Sequence, residues 1–497
     1  MMKAPDFKYD VIIAGSGLGG LLCGYILAKE GMRVCILEKN QQAGGCLQTF
    51  SRQGVNFDTG VHYFGGMDPG QTLYRYWDYF GLTRSLLLER MDPEGFDIIG
   101  INGRDYPLAM GFDHFVERLL PCFPSGKENL EKFIRSLKEI SQAFPLYNLE
   151  MPKGREEEYY RNKSAFDFFS SFSGSGPLSS VLAGNGLIFA GNRDHTPLHI
   201  PALIDHSFIS SAWRTVDGSA QIAERLTEGI ISFGGKIHTK NEVINIGLNN
   251  DEFVLTTKPG LSYSSQLFIS AIHPSTTLKM MEPAIFRKSF FRRITNLKNT
   301  VSSFAVYIVL KDRSFQYFNH NYYYHKTEDV WNDESIEGWP SRYMMHTPAP
   351  GSEGGFAKNV IILTSMPFEM VKKWQNTFKG NRGEEYEAFK SHCAESLVDL
   401  AEQRFPGLRS AISSVETSTP LTWRDYNGFP EGSMYGIEHD YQEPLVTTLL
   451  PVTKIPGFYF TGQNINIHGV LGVTIGAILT CSEIIGLDYL LNKVRNS

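Results

Sequence analysis

From Val11 to Ala28 the chain runs for 18 residues without a charge, and Gly15, Gly17, Gly19, Gly20 and Gly24 fall inside the run. A length of about 18 apolar residues begins to suggest a membrane span. A spanning helix, however, gains little from so many residues that favour coil over helix. The apolar positions sort instead into three pieces. Tyr9 to Ala14 is an apolar, β-branched strand, Gly15 to Gly20 a turn, and Leu21 to Glu30 a helix of alternating apolar and small residues. A second buried strand, Arg33 to Leu37, ends at Glu38 and completes a βαβ unit.

Farther along, Asp113 to Ser179 reads as helical and polar, and its charge run Arg155-Glu156-Glu157-Glu158 reads as a solvated face. Asp217 to Gln221 caps a helix reaching about Gly229. Gly234-Gly235 then turns into strands at Lys236–His238, Glu242–Ile246, Phe253–Thr257 and Leu267–Ala271. A mixed block rich in Tyr and Phe follows from Pro274 to Val415. Near the C-terminus, Gly457–Gly462 reads as strand and glycine turn, and Gly469–Leu479 as an apolar helix that starts on glycine.

A chain of 497 residues exceeds what one core usually supports, so two domains are expected. A net charge of −6 argues against nucleic acid as a partner, because phosphate binding needs a basic surface. The six cysteines form no C-x-x-C pair and no metal-type cluster, which fits reduced thiols in a reducing compartment. His195, His199 and His206 lack metal-site spacing, so no metal is expected. The start of the chain runs directly into the first strand. No cleaved signal peptide or transmembrane helix is therefore expected, and residence is expected to be cytoplasmic or peripheral on the cytoplasmic membrane face.

Gly15, Gly17 and Gly20 fit G-x-G-x-x-G. There the first glycine allows the tight turn, the second lets a pyrophosphate reach the backbone, and the third lets helix and strand pack closely. Glu38 lies 18 residues past Gly20, at the tip of the second strand, where a carboxylate accepts bonds from ribose hydroxyls and disfavours a 2′-phosphate. FAD or NAD fits this pattern better than NADP. The C-terminal strand, glycine turn and helix favour FAD, since the long flavin nucleotide needs a second permissive backbone, which Gly462, Gly469 and Gly472 supply. A helix starting near Gly472 would direct its dipole at the flavin ring.

The segments "GSGLGG", "LEKNQQAGGCLQTF", "FDTGVHYFGG", "FDIIGINGRDYPL", "GSMYGIEHD" and "FYFTGQNINIHGVLGVTIGAILTCSEII" together resemble the phytoene desaturase and carotenoid isomerase class of FAD oxidoreductases, most of all its retinol saturase branch. Cys46 stands where many members of the wider superfamily carry Arg, Leu471 replaces a proline of the carotene desaturases, and Ile465-Asn466 replace the His-Pro before that motif. These departures favour the saturase branch.

The resemblance implies an α/β fold: a Rossmann-type FAD-binding domain, glutathione-reductase or amine-oxidase-like, from 1–95, 215–273 and 416–497. A mixed α+β substrate domain with a helical lid is inserted at 96–214 and 274–415. It implies noncovalent FAD held by Gly15, Gly17, Leu18, Gly19, Gly20, Glu38, Lys39, Gly44, Gly45, Cys46, Val243, Gly462, Gln463, Asn464, Gly472 and Val473. The backbone of Val243 would grip the adenine. NADH or NADPH is the implied electron donor, and an apolar polyene, retinoid or carotenoid-like, the implied substrate. His62, Tyr63 and His468 adjoin the glycine segments and are the candidate proton donors, with Asp58 placed to orient His62.

Three readings follow: reduction of a polyene C=C bond, carotenoid desaturation or cis–trans isomerisation, and a lipid carrier without catalysis, since Rab GDP-dissociation inhibitors share this fold. The aromatic residues, 13% of the chain, either line a polyene tunnel or fill core. A membrane-surface patch is expected on the substrate domain, for which "SAFDFFSSF" from Ser164 and the Phe-Gln-Tyr-Phe stretch at Phe315 are candidates, each reading at least as well as a buried helix face. The oligomeric state stays open.

Overall fold

The computed structural model describes residues 6–174, 177–331, 336–349 and 355–497, so the stretch 1–5 on which the signal-peptide expectation drew lies outside the described residues. The expected βαβ unit forms as β1 (Phe7–Ala14), α1 (Leu18–Lys29) and β2 (Val34–Leu37). β1 and β2 run parallel, with Val11 opposite Val34 and Ala14 opposite Leu37. The uncharged run is thereby used inside the protein, and among the described residues no helix is long and apolar enough to cross a membrane.

α1 begins at Leu18, three residues earlier than the pattern suggests. Gly19 and Gly20 fall in its first turn, where packing leaves no room for a side chain. A Cβ on Gly20 would lie 2.1 Å from the Gly15 carbonyl oxygen, and one on Gly19 2.7 Å from the Gly462 Cα.

The first sheet has the order Lys236–His238, β2, β1, Ser262–Ser270, Glu252–Thr257, Val243–Asn249, with Phe458–Phe460 added parallel to Ser262–Ser270. β2, β1 and Ser262–Ser270 are parallel neighbours, and the last two strands continue as an antiparallel meander. β2 is buried along its whole length, as a parallel strand covered on both faces must be. One face is covered by α1, Ala220–Ser232 and the helix Gly469–Ile485, which share a core of Leu22, Ile26, Leu226 and Ile478. That helix runs six residues past the expected Leu479.

The second sheet has the order Ile412–Ser418, Ser302–Leu310, Asn359–Met366, Arg342–His346, Asn321–His325, Asp97–Ile101, Arg104–Leu108. It is antiparallel except where Asn321–His325 pairs with Asp97–Ile101. Ile412–Ser418 passes through the boundary expected at 415/416. Helices Lys127–Gln142 and His199–Ser210 pack with Ile99, Tyr323 and Met344 on one side of this sheet. Helix Glu384–Glu402 packs with Val306, Tyr322 and Ile362 on the other.

The two aromatic stretches expected on the surface lie inside this packing. Ser164 caps helix Ala165–Ser170, its Oγ accepting from the Asp167 N–H at 3.1 Å, and Phe169 and Phe172 are buried against Phe133. Phe315 and Phe318 pack half-buried on Phe405. Each stretch thus finds apolar partners within the chain, which is the buried-face alternative.

Gly20→Ala places a methyl against backbone that cannot yield, and is expected to lower the unfolding free energy by about 1–3 kcal/mol or more. Gly154→Ala, whose added methyl meets open space, stays within about 0.5 kcal/mol. Chemical denaturation of both variants checks the contrast; equal stabilities would refute the close packing at Gly20.

Candidate active site

The N-terminal and C-terminal glycine segments meet on one cavity. Its volume is about 1380 Å³, and its wall includes Gly15 to Gly19 and Gly462 to Val473. Single-ligand pockets usually span about 300–1,000 Å³, so this one has room for a cofactor and a substrate together. The approach of Gly19 to Gly462 sets the two turns against each other. Gly17 caps α1 and His468 caps the Gly469–Ile485 helix, both without a side-chain capping bond, so two helix N-termini with free N–H groups face the same space.

Of the expected cofactor residues, Gly15, Gly17, Leu18, Gly19, Glu38, Lys39, Gly44, Gly45 and Cys46 all line the cavity. So do Val243, Gly462, Gln463, Asn464, Gly472 and Val473. Gly20 lies behind the wall, against Gly15. Glu38 Oε2 accepts from Ser16 N–H at 3.0 Å and Ser16 Oγ–H at 2.5 Å, and its Oε1 accepts from Asn40 N–H at 2.7 Å. The carboxylate is thus pinned beside the first glycine turn. Lys39 Nζ donates to the Asp425 carbonyl at 3.0 Å. Gly44 and Gly45 take φ of 122° and 57°, and a Cβ on Gly45 would sit 3.0 Å from Gly17 Cα, so this second turn closes over the first. Burial pushes the Cys46 thiol up to about 11, which keeps it protonated and unreactive. The Asn464 side-chain oxygen accepts from Ile437 N–H at 2.9 Å.

His62, Tyr63 and His468 share the cavity wall. Burial, reinforced by the nearby Arg214, pushes His62 down to about 4, and burial with His439 pushes His468 down to about 3. Both imidazoles are neutral at pH 7. The His62 ring lies 4.7 Å from that of His346, and its Nδ1 has no partner among the described residues. Asp58 does not orient it: that carboxylate accepts instead from the N–H and Oγ–H of Ser219, at 2.6 and 2.7 Å. Tyr63 donates to Asp97 Oδ2 at 3.0 Å and lies 2.7 Å, oxygen to oxygen, from Tyr323. Asn321 Nδ2 donates to the other Asp97 oxygen at 2.8 Å. Burial pushes Asp97 up to about 7 and Tyr63 well above its ordinary value.

The structure adds residues that sequence reasoning missed. Ser16 holds Glu38, and the segments around Trp423 and Ser433 enter the wall. Arg161 ends the charged helix Glu156–Arg161 and turns inward, one helical turn beyond the run read as solvated. Of the three histidines set aside as metal ligands, His195 pairs with Asp440 at 3.0 Å, His206 with the Tyr147 hydroxyl at 2.8 Å, and His199 lies beside Arg161.

Residues 18–485 match the family model for flavin containing amine oxidoreductases. The chain is 27% identical to the human all-trans-retinol 13,14-reductase, over 99% of this chain and 88% of that protein. It is 23% identical to prolycopene isomerase 1, chloroplastic, of an Oncidium hybrid cultivar, over 98% of this chain and 85% of that one. A crystal structure of an oxidoreductase from Methanosarcina mazei superposes with a TM-score of 0.64 at 17% identity, covering 95% of this chain and 99% of the other. With one cavity joining both glycine segments, the chain belongs to the flavin containing amine oxidoreductase family, as an FAD-dependent oxidoreductase of the retinol saturase and carotenoid isomerase class.

Proposed function

We propose that the protein reduces a carbon–carbon double bond of an apolar polyene, retinoid or carotenoid-like in class. The observation that carries this reading is the make-up of the cavity wall. Phe144, Leu146, Leu187, Leu203, Phe208 and Leu363 line the same space as the two glycine segments, a dry surface suited to a conjugated hydrocarbon chain. The human relative's name, a reductase of all-trans-retinol, agrees with it. A carrier without flavin would have no use for a glycine cradle left open.

The residues fit FAD. A Cβ on Gly17 would meet nothing within 4 Å, so its backbone stands open to the cavity. Trp423 Nε1, Ser433 Oγ and Gln463 Nε2 are buried without partners among the described residues, and all three residues line the cavity. Such orphaned groups cost about 1–3 kcal/mol each until a ligand or water meets them. When bound, FAD supplies or accepts a hydride at its ring. In this reading main-chain N–H groups at Gly17 and Gly45 receive the pyrophosphate, Glu38 accepts from ribose hydroxyls, and the Val243 backbone holds the adenine. The N-terminus of the Gly469–Ile485 helix sets a positive field at the redox end. The apolar side chains exclude water.

The second carbon of a reduced double bond needs a proton. Tyr63 gives it from its hydroxyl, and Asp97, when burial holds it protonated below about pH 7, donates from Oδ2 to that hydroxyl oxygen across the same 3.0 Å contact and so restores the proton. The neutral His62 and His468 hold no extra proton to give.

Four outcomes test the reading. Flavin-loaded enzyme reduced without oxygen is expected to be reoxidised by a long polyene, with one double bond lost from the product; reoxidation by small polar alkenes alone would refute it, and a rearranged polyene with unchanged flavin would assign isomerisation instead. Gly17→Ala is expected to keep the unfolding midpoint yet weaken flavin retention about tenfold, ~1.4 kcal/mol, read as flavin absorbance per protein after dialysis. Tyr63→Phe is expected to slow flavin reoxidation about 100-fold with the flavin spectrum unchanged. The wild-type rate should fall as pH rises through about 7, where Asp97 loses its proton, and Asp97→Asn should flatten that limb.

A further inference from the structure

Beneath helix Glu156–Arg161 a polar group interrupts the apolar wall. The Arg161 side chain is 15% exposed, and with Asn466 and His468 it lines the cavity. Arg161 Nη2 donates to Asn466 Oδ1 at 3.2 Å, and its Nη1 lies 3.5 Å from His199 Nε2. A guanidinium can only donate, so His199 accepts at Nε2 and carries its hydrogen on Nδ1. That Nδ1, His468 Nδ1 and His439 Nε2 are all buried without a partner among the described residues. The guanidinium also lies 5.3 Å from the Phe144 ring, and the His468 ring 4.3 Å from that of Tyr435, so aromatic faces hold both in place.

The charge of Arg161 is only loosely met. Glu157, the acid that faces it, stands 3.6 Å away and is 39% exposed. The exposure of Glu157 weakens the pair, and Glu158 adds to the field on the same helix, both acids lining the cavity with Arg161; of the five guanidinium hydrogens, Asn466, His199 and Glu157 take three at most. A plain hydrocarbon in the cavity would leave His468, the one of these three imidazoles on its wall, unmet as well. A carboxylate would instead match the planar fork of the guanidinium with two short bonds, the geometry for which arginine is best suited.

Resting on the polyene reading above, we propose that Arg161, Asn466 and His468 form a head-group subsite for the terminal carboxylate of a polyene acid. The acid end stays beneath the surface helix, where little further desolvation is needed. The hydrocarbon chain lies along the apolar wall.

The test uses oxidised, flavin-loaded protein titrated with retinoic acid, its methyl ester and retinol, with binding read from the flavin spectrum. The acid is expected to bind at least about tenfold more tightly than the ester, a difference of ~1.4 kcal/mol. Arg161→Gln is expected to remove that preference and leave ester binding within about twofold, with flavin content and melting temperature as fold controls, and Arg161→Lys to restore part of it. Equal binding of acid and ester to the wild type, or equal weakening of all three by Arg161→Gln, would overturn the subsite. Preference for retinol that Arg161→Gln abolishes would show that the subsite reads a hydroxyl, and would overturn the carboxylate. Binding of none of the three would refute the polyene reading itself, an outcome distinct from binding without discrimination.

Discussion

The whole arrangement depends on how closely two backbones approach at Gly19 and Gly462, where even one methyl group would meet the opposite Cα at 2.7 Å. These positions are more than 440 residues apart in the chain. Their approach holds the start of α1 beside the turn that leads to the Gly469–Ile485 helix, so both helix N-termini open onto one cavity. A side chain at Gly19 would push the turns apart and divide the space, and a nucleotide long enough to need both would lose its bed; at Gly462 it is the backbone, at φ 95°, that favours glycine.

Around that contact the protein concentrates ionisable groups in an environment that keeps them uncharged. His62 and His468 are driven down, while Asp97 and Tyr63 are driven up, in each case chiefly by burial. Burial penalises whichever form is charged, and so moves acids and bases in opposite directions. The outcome is a cavity whose wall is apolar over much of its extent and carries neutral imidazoles and a neutral phenol among its polar groups. Arg161 differs from these four, a cation carried at the edge of this space on a helix that faces water.

Some of the site was legible because its chemistry depends on neighbours in sequence. The glycine turn, Glu38 after the second strand, and the C-terminal glycines are local patterns, and the structure places all of them but Gly20 on the cavity wall. Partners were harder to read. Asp58 stands close to His62 in sequence, with only Thr59, Gly60 and Val61 between them, yet it binds Ser219, which only the packing of helix Ala220–Ser232 brings near. The aromatic runs at Ser164 and Phe315 look the same in sequence whether they face water or core, since what decides is the presence of Phe133 and Phe405 across the gap.

The sequence by itself determined the βαβ unit, its glycine turn and the second glycine segment, because hydrophobic period and glycine spacing act over a few residues and need no distant partner. Tertiary structure alone decided that α1 begins inside the glycine turn, that Arg161 faces inward, and which hydroxyl and which carboxylate stand behind Tyr63. Each of those outcomes is a contact between strands or helices far apart along the chain, and its free energy exists only once both sides have been brought together.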